Sequence, residues 1–228
     1  MKVPEIIARI VDGNTQFTTT RSSEYFESFK MKQEPFITLV TCSDSRVPLQ
    51  ALMPDTSNKI FSIQNIGNQI LSTEGSVDFG IYHLKTPVLM FLGHSDCGAI
   101  RAYLKGFSEE TEGIKHELDF LRPIIHEFGT DGDFASLHAH VIEKNLDYQV
   151  GIAYKKYRDL IHEGKLTIIA AFYDFRGEFG KGMGKIVFVN LNKHKTPAEL
   201  HALPEFGELT VEQKEHFIGR LPGAQGVN

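Results

Sequence analysis

The chain contains no tryptophan, only two cysteines in 228 residues, and no apolar run near the length of a membrane span. Two thiols, Cys42 and Cys97, exclude a disulfide scaffold, and without ~18 consecutive apolar residues there is no candidate transmembrane helix. Basic blocks are also missing. With 24 basic against 29 acidic residues and a net charge of −5, neither nucleic acid nor an anionic membrane is expected as the main partner, so a small molecule is expected instead. The opening MKVPEIIARI lacks the basic-then-apolar layout of a secretion signal, which predicts a cytoplasmic location. What is present is ordinary globular material: 41% hydrophobic, 23% charged, mean hydropathy −0.19, enough for a core without staples.

Periodicity orders the chain into alternating strands and helices. Ile6, Ile7, Ile10 and Val11 predict an amphipathic helix over 3–12 that ends near Asp12-Gly13-Asn14, forming an N-terminal arm within 1–20. Apolar runs predict strands at 36–41, 59–63, 88–92 and 166–173, and the first three empty into polar loops. A short helix is expected over 48–53, and longer ones from Ser72 to Leu84, from Ile100, over 114–128 and over 134–162. Glycines at 177, 180, 182 and 184 separate the fourth strand from 186–189, predicting a hairpin with an antiparallel edge strand. Residues 191–228, with Pro197, Pro204 and Pro222, read as short helices on the surface or at an interface. The expected fold is therefore α/β: one domain over 1–228, with a mostly parallel four- to five-stranded sheet flanked by helices. Such sheets place ligands outside the carboxyl ends of their strands.

Two strand ends carry chemistry. Cys42, His94 and Cys97 offer two thiolates and an imidazole, a donor set suited to Zn²⁺ with one corner left for a small molecule, since no third cysteine exists to close it. Asp44 and Arg46 follow Cys42 at alternating positions and would point the same way if the segment stays extended. Taken singly, each cysteine is better read as an inert buried thiol, and Asp44 with Arg46 as a loop ion pair; the five together favour a metal site.

Cys42-Ser43-Asp44-Ser45-Arg46 and His94-Ser95-Asp96-Cys97-Gly98, 52 positions apart, resemble the zinc signature of the β-class carbonic anhydrases. The likeness runs through roughly 33–105, with Asn65-x-Gly67-Asn68 similar to a family segment and Tyr173-Asp174 similar to the start of its final hairpin. The resemblance implies that Cys42, His94 and Cys97 hold one Zn²⁺ with water or hydroxide as fourth ligand. Asp44 would then accept a hydrogen bond from that ligand, and Arg46 would hold Asp44 ionised and off the metal. It further implies reversible hydration of carbon dioxide to bicarbonate and a proton, assembly as a homodimer or homotetramer, and an N-terminal helix reaching a partner. Gly98 would offer its N–H to a bicarbonate oxygen, and Gln33, Phe61 and Phe79 would line the pocket, partly from the neighbouring subunit. Phe79 stands where the plant-like branch has Tyr, removing one hydroxyl. The Trp and Arg of the bicarbonate-inhibited branch are absent; Ile63-Gln64-Asn65 replaces its Val-Arg-Asn, so cooperative inhibition is not expected. Two thiolates cancel the ion's formal charge, predicting activity that rises toward alkaline pH. Alternatives are hydrolysis of carbon disulfide or carbonyl sulfide on the same site, and a non-catalytic zinc or bicarbonate binder with Asp44 closing the fourth corner. His138-x-His140 reads as helix surface rather than a chelating pair, and His83 as a satisfied core histidine.

Overall fold

The computed structural model of the protein describes residues 1–125 and 133–223. It divides into two compact units, Met1–Glu34 and Pro35–Asn228. The first holds α1 (Val3–Thr19) and α2 (Ser23–Glu27). The expected stop at Gly13 does not occur. Glycine costs a helix interior only about 1 kcal/mol and removes no hydrogen bond, so α1 runs on until Thr18, Thr19 and Thr20 turn their hydroxyls back onto carbonyls three and four residues earlier. Its apolar residues Ile6, Ile7, Ile10 and Val11 are exposed.

The second unit is built on five strands: β1 (Ile37–Cys42), β2 (Ile60–Asn65), β3 (Val88–His94), β4 (Thr167–Asp174) and β5 (Lys185–Leu191). Their order is β2-β1-β3-β4-β5, parallel except for the antiparallel β4–β5 edge pair. The expected sheet is therefore present, with each strand extended a residue or two into its polar loop. The interior strands are apolar because both their faces are covered. On one face Val40, Leu89, Phe91, Ile168, Ala170 and Phe172 join the main core with Val141, Ile142, Leu146 and Val150. The other face packs Leu39, Met90, Leu92, Ala171 and Ile186 with Val47 and the 3₁₀ turn Leu49–Ala51.

The helices are α3 (Glu74–Asp78), α4 (Gly98–Lys105), α5 (Glu112–Asp119), α6 (Arg122–Ile125), α7 (Phe134–Lys156), α8 (Arg158–His162), α9 (Pro197–Ala202) and α10 (Val211–Phe217). The helix expected from Ser72 to Leu84 is not uniform: after α3 it widens into a π turn over Phe79–His83. Gly80 lies there because a side chain at that position would sit 2.1 Å from Thr38 Oγ1. The helix expected over 134–162 breaks at Tyr157, whose φ of −106° ends α7. Residues 126–128, expected to be helical, lie outside the described residues, as do 224–228. No described helix is long and apolar enough to cross a membrane.

Candidate metal centre

β1 and β3 are parallel neighbours, with Thr41 opposite Leu92, so their last residues, Cys42 and His94, emerge side by side. The chain then turns through Asp96, which takes a left-handed φ of 58°, and brings Cys97 back as the residue preceding α4. The result is one buried group in which the two Sγ atoms and a His94 ring nitrogen lie within 4.8 Å of one another.

The donor chemistry fits a divalent cation. A carbonyl only accepts, so the 2.7 Å contact to the Ser95 carbonyl fixes the proton on His94 Nδ1. That leaves Nε2, buried and without a hydrogen-bond partner, with its lone pair facing the sulfurs. The Cys42 thiol is pulled well below its usual range by the hydrogen bond from Cys97, with help from His94 and the Gly67 N–H. Cys97 is driven the other way, because its own thiol is that donor, it is buried, and the Cys42 charge is adjacent. Two sulfurs that cannot both ionise unaided are what a doubly charged ion resolves. The amides of Ala99 and Ile100, in the first turn of α4, already face Cys97 Sγ.

Around the group lies a charged frame. Arg46 grips Asp44 with Nε to Oδ1 at 2.9 Å and Nη2 to Oδ2 at 2.7 Å, and its own N–H donates to Oδ1. This holds the Asp44 carboxyl down at about 2 and leaves Oδ2 4.0 Å from His94 Nε2. Arg46 is held in turn by Asp96, through Nη1 to Oδ2 at 3.0 Å and Nη2 to the carbonyl at 3.0 Å. Arg101 and Arg176 also pair with the Asp96 carboxylate. The Phe175 ring stacks on His94 and lies under the Arg46 guanidinium.

The structure therefore gathers Cys42, His94, Cys97, Asp44 and Arg46, with Gly98 following directly in chain. Phe61 and Phe79 meet each other at 5.8 Å, and Phe79 stacks on His83 at 4.4 Å. His83 is exposed, not a core residue: it closes the π turn and its ring stacks on Phe79, which is itself exposed. Gln33 belongs to the N-terminal unit and is exposed. His138 is the larger correction: it is not on the surface but 3% exposed. Its Nε2 donates to the Cys97 carbonyl at 2.9 Å, while burial, reinforced by Arg101 and Arg176, lowers its pKa. Arg101, Phe175 and Arg176 are also part of the frame and were not singled out by pattern, while Asp96 and Asp174 lie within the segments that carry the family resemblance but were given no role.

Asp174, fully buried at the end of β4, accepts from Ser95 Oγ and from the amides of Arg176, Gly177, Glu178 and Phe179. It thereby ties the final hairpin to the loop between His94 and Cys97. Gly67, at φ 86°, turns its amide toward Cys42 while Asn145 of α7 holds its carbonyl at 2.9 Å. Asn65 closes the same loop through Gln69.

Fold and site together define a mostly parallel α/β protein with a two-cysteine, one-histidine group suited to a cation at the carboxyl ends of adjacent strands. Residues 37–179 match the carbonic anhydrase family profile. A carbonic anhydrase of Helicobacter pylori strain J99 is 32% identical over 126 residues, 50% of this chain and 57% of that protein; the chain spans about half the length of the curated relatives it matches. The structure of a tetrameric β-carbonic anhydrase from Sordaria macrospora superposes with a TM-score of 0.68 at 19% identity, covering 82% of this chain and 96% of that one. A Coccomyxa β-carbonic anhydrase in complex with acetazolamide gives 0.66 at 20% identity, covering 73% and 81%. The chain belongs to the carbonic anhydrase family and has the β-class fold.

Proposed function

We propose that the protein binds one Zn²⁺ through Cys42, His94 and Cys97 and catalyses the reversible hydration of carbon dioxide to bicarbonate and a proton. Zinc in such a site would supply Lewis acidity that makes water more nucleophilic, less strongly than with three histidines because two thiolates offset the ion's charge. The chain's own residues do the rest. Arg46 keeps the Asp44 carboxylate ionised and turned aside, so that Oδ2 accepts a hydrogen bond at the fourth corner rather than closing it. The Gly98 N–H would face a product oxygen, whereas Phe61, level with Thr38 and four residues short of Cys42, and Phe79 beside it would line a pocket only as residues contributed to a second copy of the chain. Arg101 and Arg176 place positive charge beside the site, which favours an anionic product.

The observation that carries this reading is the orphaned, buried Nε2 of His94 beside two thiols, with Asp44 Oδ2 at 4.0 Å but committed to Arg46. The β-class fold and the tetrameric Sordaria macrospora relative support assembly as a homo-oligomer. Stopped-flow hydration with protein of known zinc content tests the proposal. One zinc per chain and turnover abolished in Cys97→Ser are expected. A reconstituted chain that retains no zinc, or a fully loaded one without turnover up to about pH 9, would refute it.

A further inference from the structure

We propose that His138 is a positioning residue that locks the Cys97–Gly98 peptide and thereby aims the Gly98 N–H at an anion in the fourth corner. This rests on the zinc reading above and assigns a role to a side chain outside the ligand set.

The Cys97 carbonyl has two acceptor sites. One takes the Arg101 N–H at 3.0 Å, the first turn of α4; the other takes His138 Nε2 at 2.9 Å, donated across from α7. In a trans peptide the C=O and the following N–H lie in one plane and point in opposite directions; the described chain has no cis peptide. Fixing the carbonyl toward α7 therefore fixes the Gly98 N–H away from α7. That N–H has no acceptor among the described residues, whereas those of Ala99 and Ile100 are committed to Cys97 Sγ. It is the remaining free donor next to the sulfur ligand. A carbonyl that accepts two hydrogen bonds also polarises its own N–H, strengthening it as a donor.

The imidazole is well held. It is 3% exposed, its ring stacks on Phe134 one turn earlier at 5.8 Å, and Phe134 lies under the Lys105 ammonium at the far end of α4. α7 thus braces α4 at both ends, and the brace at the ligand end is a hydrogen bond rather than an apolar contact. Packing alone explains a buried ring at 138, but not an Nε2 donor aimed at the carbonyl next to the one uncommitted amide.

The test uses Co²⁺-substituted full-length protein titrated with azide, followed by its visible spectrum. His138→Gln places an amide donor near the Nε2 position, while His138→Asn, equally polar, is too short to reach the carbonyl. Both should take up one cobalt. Azide affinity should fall about tenfold in His138→Asn, the scale of one charge-assisted hydrogen bond, and stay within about threefold of wild type in His138→Gln. Equal azide affinity in all three loaded proteins, or equal losses in Gln and Asn, overturns the lock and leaves the zinc reading intact. A wild-type chain that takes up no cobalt refutes the zinc reading, and the lock with it. If Asn fails to fold, a His138→Gln protein that loads cobalt yet loses azide affinity tenfold overturns the lock.

Discussion

Replacing Asp174 by Asn tests how the final hairpin supports the centre. Oδ1 of Asp174 takes four donors, Ser95 Oγ and the amides of Arg176, Gly177 and Glu178 at 2.7–3.2 Å, and Oδ2 takes Phe179 N–H at 2.9 Å. An Asn of the same shape must keep its single oxygen on the side with four donors, so its NH₂ opposes the Phe179 amide. One buried donor loses its acceptor, costing about 1–3 kcal/mol, and the remaining bonds drop from charged to neutral strength, a few tenths to about 1 kcal/mol each. The total is about 4 kcal/mol, which for a chain of this size lowers the melting temperature by about 8–16 °C. Because Ser95 lies between two ligands, zinc affinity should fall about tenfold as well, the scale seen when groups that orient ligands are removed. Circular dichroism melts of the metal-free protein and zinc competition against a chromophoric chelator read the two effects. A melting temperature within about 3 °C of wild type together with unchanged zinc affinity would refute the reasoning.

Glu143 is buried on α7 against Arg220, Asp147 and the Leu221 amide, with His140 nearby, and burial pushes its carboxyl up to about 7. Its contribution is fully present below pH 4.5 and is lost as pH rises through 7, by at most roughly 3 kcal/mol. Glu143→Gln should therefore gain stability relative to wild type between pH 5 and 8 in urea melts, and a difference independent of pH would contradict this. Gly80→Ala forces a methyl to 2.1 Å from Thr38 Oγ1, which is buried and bonded to Thr86 at 2.7 Å; a loss of about 2–3 kcal/mol is expected by the same melts, and no loss would show that the π turn can shift. Hydration rates of the zinc-loaded protein should rise from pH 7 to 9, because two sulfur ligands weaken the ion as a Lewis acid; a fall across that range contradicts it. Bicarbonate inhibition should follow a simple hyperbola, since the chain lacks Trp and has Gln64 where the inhibited branch has Arg; a sigmoidal curve would count against this.

Much of the site was legible because its chemistry is local in sequence. Cys42, Asp44 and Arg46 follow one apolar run, His94 and Cys97 follow another, and a parallel sheet delivers such strand ends to one edge. The antiparallel β5 was legible for a similar reason: glycines at 177, 180, 182 and 184 leave a hairpin as the simplest connection.

What the sequence did not disclose depends on contacts between distant segments. Two histidines two positions apart on a helix look like surface, and only the packing of α7 behind the Cys97 turn makes His138 a donor to that carbonyl. Asp174 looks like a hairpin acid until the folded loop turns four amides and Ser95 onto it. Asp96 reads as a spacer until Arg46, Arg101 and Arg176 converge on it from α4 and two separate loops. Helix ends moved for two other reasons: glycine costs a helix interior only about 1 kcal/mol, so α1 passes Gly13 without needing packing, while the Phe79–His83 turn follows the close approach of Gly80 to Thr38. Residue identity and the alternation of strands and helices thus determined which side chains stand at strand ends, while the tertiary fold decided which strands are neighbours and which buried groups hold those atoms still, because a buried donor or acceptor takes whatever partner the packing brings within reach.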